Sequence, residues 1–146
     1  MIESERLVEI RFPSRADRLK LVRGAVRCAA EMRGCSHEET DRLVLAVNEA
    51  CMNIIQHAYG TPHVGEIILE ILNNRDELVF RLSDFAEPVD KNTIRPRDLN
   101  DVRPGGLGVH FINQVMDRAE FLEAPAGVGN VLELVKRVGG QNNNEG

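Results

Sequence analysis

An α/β (α+β) two-layer sandwich, with a mixed, largely antiparallel sheet and helices on one of its faces, is the fold class this sequence predicts. Three observations predict it. Hydrophobic spacing alternates between strand and helix periods in the order β, α, α, β, β, loop, α, β, β. The strand patterns of the second half come in neighbouring pairs joined by short polar connections, which makes hairpins and hence antiparallel pairing. The strict βαβ alternation of a dinucleotide-binding sheet is absent.

Residues 6–12 (RLVEIRF) place Val8, Ile10 and Phe12 on one face of a strand, which Pro13 ends. Ser14 with Asp17 reads as the N-cap and acidic first turn of a helix carrying Leu19, Val22, Val26 and Ala29 on its apolar side. Gly34 is the expected stop, since only glycine enters the left-handed region freely. Ser36 to Glu39 (SHEE) then fits a capping box, in which hydroxyl and carboxylate satisfy backbone donors reciprocally. The helix it opens has a stripe of Val44, Val47, Cys51, Ile54, Ile55 and Ala58 and ends at Tyr59-Gly60-Thr61-Pro62.

Residues 66–72 and 77–84 read as a hairpin across Asn73–Asp76. In its second strand Leu78, Phe80 and Leu82 share a face, and that parity carries on to Asp84. Residues 85–104 hold three prolines and many charges with little periodicity, as a functional or disordered loop does. PGGLG (104–108) leads into a helix bearing Leu107, Phe111, Ile112 and Val115, and two strand-like runs follow, AEFLEA and NVLELVKR. The chain of 146 residues is expected to form one domain over 1–138, with a disordered polar tail at 139–146.

With one Tyr and no Trp, the core must rest on Leu, Ile and Val. A net charge of -5 offers no basic face for phosphate contacts, so no nucleic-acid partner is expected. No apolar run approaches the ~18 residues of a membrane span, and a cytoplasmic location without membrane contact is the expectation. Cys28, Cys35 and Cys51 form no CxxC, which points to buried free thiols in a reducing compartment.

The chemistry-bearing residues form three groups. Glu49, Asn53 and His57 stand four apart and stack along one helix face. A solvated face is the plain explanation. The row lacks Lys and Arg, however, and Leu45, Ala46, Ala50 and Met52 flank it, which suits a cleft better. Asp84 is either a turn acceptor or a fixed acceptor for an amino group such as that of adenine. PGGLG offers unobstructed backbone N–H groups at the positive end of a helix, an anion cradle suited to polyphosphate, although a glycine-rich turn is the commoner meaning. His110 reads as a packed histidine, Cys51 as a poor nucleophile, and His37 as an exposed first-turn residue. The basic residues 15, 18, 20, 23 and 27 form a stripe that is either solvated or a docking surface.

In order, these pieces resemble a known set. EACMNIIQHAY is similar to the N box of the small anti-sigma-factor serine/threonine kinases, ATPases of the gyrase, histidine-kinase and MutL type with the Bergerat fold. SDFAEPVD resembles their first glycine box, PGGLGVHFINQVMD their second, and GNVLELVKR their last strand, so the likeness runs over residues 5–137. The resemblance implies a kinase that uses ATP and Mg²⁺. Glu49 would be the general base and Asn53 the Mg²⁺ ligand. Asp84 would accept from the adenine amine, with Ala86 and Asn130 nearby. Gly105, Gly106, Leu107, Gly108 and Val109 would wrap the phosphates, under a mobile lid formed by 85–104. His57 would be structural.

The implied substrate is Ser or Thr of an anti-sigma-factor antagonist. The implied partners are that antagonist, a sigma factor or other output regulator, and a second copy of the chain. The alternative is a non-catalytic switch that sequesters its partner. One departure bears on the choice: the first glycine box usually reads DxG, and here it is Asp84-Phe85-Ala86. Where a positive φ is required there, the methyl group costs about 1–2 kcal/mol.

Overall fold

A computed structural model describes residues 4–60, 63–87 and 107–138. Five strands form one sheet: β1 (Glu5–Pro13), β2 (Glu66–Asn74), β3 (Glu77–Asp84), β4 (Arg118–Leu122) and β5 (Asn130–Arg137). Their spatial order is β1-β2-β3-β5-β4, and every neighbouring pair is antiparallel. Helices α1 (Leu19–Met32), α2 (His37–Asn53) and α3 (Leu107–Val115) accompany the sheet, with α2 packed between the other two. The architecture is the expected two-layer sandwich and fits the Bergerat fold.

The alternation of each strand decides which face meets the helices. Ile67, Leu69 and Ile71 of β2, Leu78, Phe80 and Leu82 of β3, and Leu132 and Leu134 of β5 point inward. They meet Leu19, Val22 and Val26 of α1, Leu43 and Val47 of α2, and Ile112 of α3. Each such side chain, once fully buried, contributes about 1.5–3 kcal/mol. The opposite face carries a chain of charges across the strands: Arg6 to Glu70 at 2.9 Å, Glu70 to Arg81 at 3.8 Å, Arg81 to Glu133 at 2.9 Å, and Glu133 to Arg118 at 3.9 Å. Partly exposed pairs of this kind add little stability; on the same face Leu72, Val79 and Val135 form a small buried cluster of their own.

Local signals hold where their partners are local. The capping box of α2 forms, with Glu39 N donating to Ser36 Oγ at 3.0 Å and Ser36 N donating to Glu39 Oε1 at 2.9 Å. Gly34 ends α1 at φ 78°, and a Schellman pair closes it: Cys35 N to Ala30 O at 3.1 Å and Gly34 N to Glu31 O at 3.0 Å. Arg33, beside it, reaches across to the β2–β3 turn and donates to Arg75 O at 2.8 Å and to Asn73 Oδ1 at 2.8 Å. That grip holds Arg75, which sits at φ 59°.

Four expectations need correction. Ser14 caps no helix, because its N–H donates to Gly65 O and its Oγ accepts from Gly65 N, both at 2.8 Å, tying β1 to the entry of β2. The chain instead enters α1 through a 3-10 turn at Ala16–Arg18. The basic stripe is partly internal: Arg23 donates to Asn48 and Arg27 pairs with Asp41, so both tether α1 to α2. His110 is exposed rather than packed, since α3 buries Val109 and Ile112 on either side of it. Of the free thiols only Cys51 is fully buried, and Cys28 is exposed.

Candidate functional site

Helix α2 does not end where its α-pattern ends. It widens into a π-turn over Ile54–Tyr59 and stops at Gly60, φ 77°, whose N–H donates to Ile55 O at 3.0 Å. π-turns of this kind recur at functional sites. The polar row lies on this stretch, with Glu49 and Asn53 half-buried and His57 exposed.

Asn53 and His57 line a cavity of about 130 Å³ between α2, α3 and the inner face of β3 and β5. That is of the order of the ~150 Å³ engineered cavity that admits one aromatic ring. Ile54, Val109, Ile112, Phe121 and Leu132 supply apolar wall, and Asp84 and Asn130 stand at its sheet side. An apolar pocket with a few convergent polar groups is the usual form of a small-molecule site.

Glu49 does not line this cavity. It borders an open depression next to it, with Leu45, Gly108 and Phe111. Gly108 lies close against it: a Cβ at that position would meet the Glu49 carboxylate and come 3.2 Å from its Cδ, so the Glu49 side chain would have to shift.

Asp84 is buried at 3 % exposure, where strand parity put it. Its Oδ1 accepts from Asn130 Nδ2 and from Ala86 N, each at 3.0 Å. Asn130 stands directly across the β3–β5 ladder from Asp84. Among the described residues both of these bonds fall on the same carboxylate oxygen, Oδ1. Desolvation pushes the Asp84 carboxyl above its ordinary value, opposed by the bonds from Asn130 and Ala86.

Ala86 is not in the left-handed region, because Arg75 is the one non-glycine residue at positive φ among the described residues. The strain expected for a methyl group at a positive φ therefore does not arise. The corner is tight from the other side: a Cβ on Gly129 would lie 2.9 Å from Ala86 N and 3.0 Å from Phe85 C. Gly129 N donates to Asp84 O at 2.8 Å.

Sequence reasoning missed Gly129, and it missed Tyr59. The Tyr59 hydroxyl accepts from Phe85 N and donates to Glu66 O, each at 2.7 Å, joining the π-turn to β2 and to the end of β3. Its ring occupies the space a side chain on Gly65 would need. The signal available was a lone Tyr at a helix end, with a glycine six residues on.

Gly105, Gly106 and the Leu107 side chain lie outside the described residues, as do residues 88–104 of the expected lid and the tail. Cys51 is pushed up to about 12 by complete burial, which removes it as a nucleophile. No group of three or more His, Cys, Asp or Glu that could cage a metal ion exists among the described residues. No described helix is long and apolar enough to cross a membrane.

The family model of the histidine kinase-like ATPase domain matches residues 12–136. The serine-protein kinase RsbW of Bacillus cereus (strain ATCC 10987 / NRS 248) is 28% identical over 130 residues, which covers 84% of this chain and 81% of the relative. The serine-protein kinases RsbW of Bacillus mycoides (strain KBAB4) and Bacillus thuringiensis subsp. konkukian (strain 97-27) are similar to the same extent.

Proposed function

The chain belongs to the histidine kinase-like ATPase family, and from that premise we propose that it is an anti-sigma regulatory factor with serine/threonine protein kinase activity. It transfers the γ-phosphate of ATP to Ser or Thr of an anti-sigma-factor antagonist. The observation that carries this reading is the pairing of two neighbouring features. One is an apolar cavity with the Asp84 acceptor at its sheet side and Asn53 among its lining; the other is the Glu49 carboxylate, outside that cavity against Gly108. A base next to a nucleotide pocket, rather than within it, is where a second protein can bring its hydroxyl.

Asp84 accepts the adenine amine through Oδ2, and Asn130 holds Oδ1 so that the carboxylate cannot turn away. Val109 forms apolar wall. Gly105, Gly106, Leu107 and Gly108 present backbone N–H groups to the phosphates. Asn53 holds Mg²⁺ through its amide oxygen. A half-buried amide, with no carboxylate cage among the described residues, suits an ion that arrives on phosphate and keeps its waters. Bound there, the ion neutralises charge on the transferring group.

Glu49 takes the proton of the attacking hydroxyl. The new bond runs from that oxygen to the γ-phosphorus, the bridging P–O bond breaks, and ADP leaves with the electron pair. A sigma factor or other output regulator, and a second copy of this chain, are the further partners of the reading.

The rival reading is a non-catalytic switch, supported by Ala86 in place of a glycine. Its strain argument is weakened by the ordinary φ at Ala86. Calorimetric titration with Mg-ATP separates the two. The kinase reading expects saturable binding below millimolar nucleotide and phosphate transfer to an antagonist protein. No binding at millimolar nucleotide favours the rival.

A further inference from the structure

The depression beside Glu49 has a composition that nucleotide binding does not explain. Arg42, Leu45 and Glu49 share one face of α2, and Phe111 of α3 faces them. Leu45 is 52% exposed although it sits next to Phe111. An exposed leucine alone has no meaning; this one lines the same depression as the proposed base. Arg42 is exposed, and its guanidinium lies 5.8 Å from the centre of the Phe111 ring. No carboxylate pairs with it among the described residues, whereas Arg27 of the neighbouring helix is paired with Asp41.

Geometry restricts what can occupy this place. A hydroxyl that gives its proton to Glu49 must come within about 2.6–3.2 Å of the carboxylate. The chain on either side of that hydroxyl then lies over the flanks of Glu49. Along a helix, four residues rise about 6 Å and seven about 10.5 Å. Along an extended segment, two residues span about 7 Å and four about 13–14 Å, each time with side chains on the same side. Leu45 thus faces the second residue from the acceptor, and Arg42, whose long side chain covers the remaining ~3 Å, faces the fourth.

We propose that the Leu45–Phe111 depression receives the phosphoacceptor segment of the protein substrate, in extended form. An apolar side chain two positions from the acceptor Ser or Thr seats between Leu45 and Phe111, and an acidic side chain two positions further, on the same side, meets Arg42. The surface rests on Glu49 being the base, and it adds the sequence character of the substrate to that reading. The attraction at Arg42 is between exposed charges and is therefore screened by salt.

The test uses the full chain with Leu45→Gln and Arg42→Gln, both on exposed positions outside the cavity. Thermal melts verify folding, and calorimetry with Mg-ATP is expected to stay within about twofold of wild type. Affinity for the purified antagonist protein is read directly by titration, and its KM by phosphate transfer. Each variant is expected to weaken both about fivefold or more, equivalent to about 1 kcal/mol. Arg42→Gln should also flatten the salt dependence. Unchanged antagonist affinity in both variants overturns the surface, as does absence of antagonist binding by the wild type. Wild-type binding without transfer contradicts the kinase reading instead, and loss of that binding in the variants still supports the surface.

Discussion

Asp84 shows at residue scale what burying the carboxyl proposed to hold adenine costs the fold. Its carboxyl is desolvated and lies above the ordinary value of 3.8, with the Asn130 and Ala86 bonds offsetting part of the burial. A raised native value means that the folded chain holds the proton more tightly than the unfolded one. The contribution to stability is thus present below 3.8 and lost as pH rises through the native value. If Asp84 accepts the adenine amine as proposed, nucleotide binding runs the other way, because the amine needs the ionised acceptor, and affinity is expected to fall as pH drops through the same value. Asp84→Asn keeps an oxygen for Asn130 and Ala86 and removes the buried charge. Its unfolding midpoint at pH 7 is expected at or above wild type, while Mg-ATP affinity drops about tenfold or more. Melting and calorimetry on one preparation check both. The burial of Asp84 was legible because a strand alternates strictly, from Leu78 to Asp84. The innocence of Ala86 was not, since a backbone angle in a corner depends on what packs over it, here Gly129.

Elements reveal where local chemistry suffices and where it does not. The Ser36–Glu39 capping box and the Gly34 stop were readable because each needs only residues within one turn. Ser14 offered the same oxygen, but its partner, Gly65, is 51 residues away and outcompeted the helix. The π-turn at Ile54–Tyr59 had no local signature either. Its end is secured by Tyr59, which bonds two strands at once. Tyr59→Phe keeps the ring over Gly65 and deletes both bonds. The expected result is a stability loss of about 0.5–1.5 kcal/mol by denaturant titration. With it comes a rise of about threefold or more in the Kd for Mg-ATP, because Phe85 N is released next to Asp84. An affinity equal to wild type would make Tyr59 purely structural.

At the scale of the whole molecule, the cavity is built from residues 50 to 134, so no single motif describes it. The hairpin of β2 and β3 followed from an adjacent pair of strand patterns. The place of β5 between β3 and β4 did not, because sheet order is chosen by long-range packing of Leu132 and Leu134 under α2 and α3. That order is what sets Asn130 opposite Asp84. The row at 49, 53 and 57 was legible as one face of a helix, but not its division: Asn53 and His57 line the cavity, and Glu49 the depression beside it.

In the proposed reaction the nucleotide lies on one side of that division and the acceptor hydroxyl, at Glu49, on the other. The direct measurement is γ-phosphate transfer from Mg-ATP to a purified antagonist protein by wild type and by Glu49→Gln, with nucleotide affinity measured on both. Transfer by the wild type is expected, with a rate at least about a hundredfold lower in the variant and similar nucleotide affinities. Full transfer by Glu49→Gln, or none by a wild type saturated with Mg-ATP and antagonist, would contradict the proposed reaction.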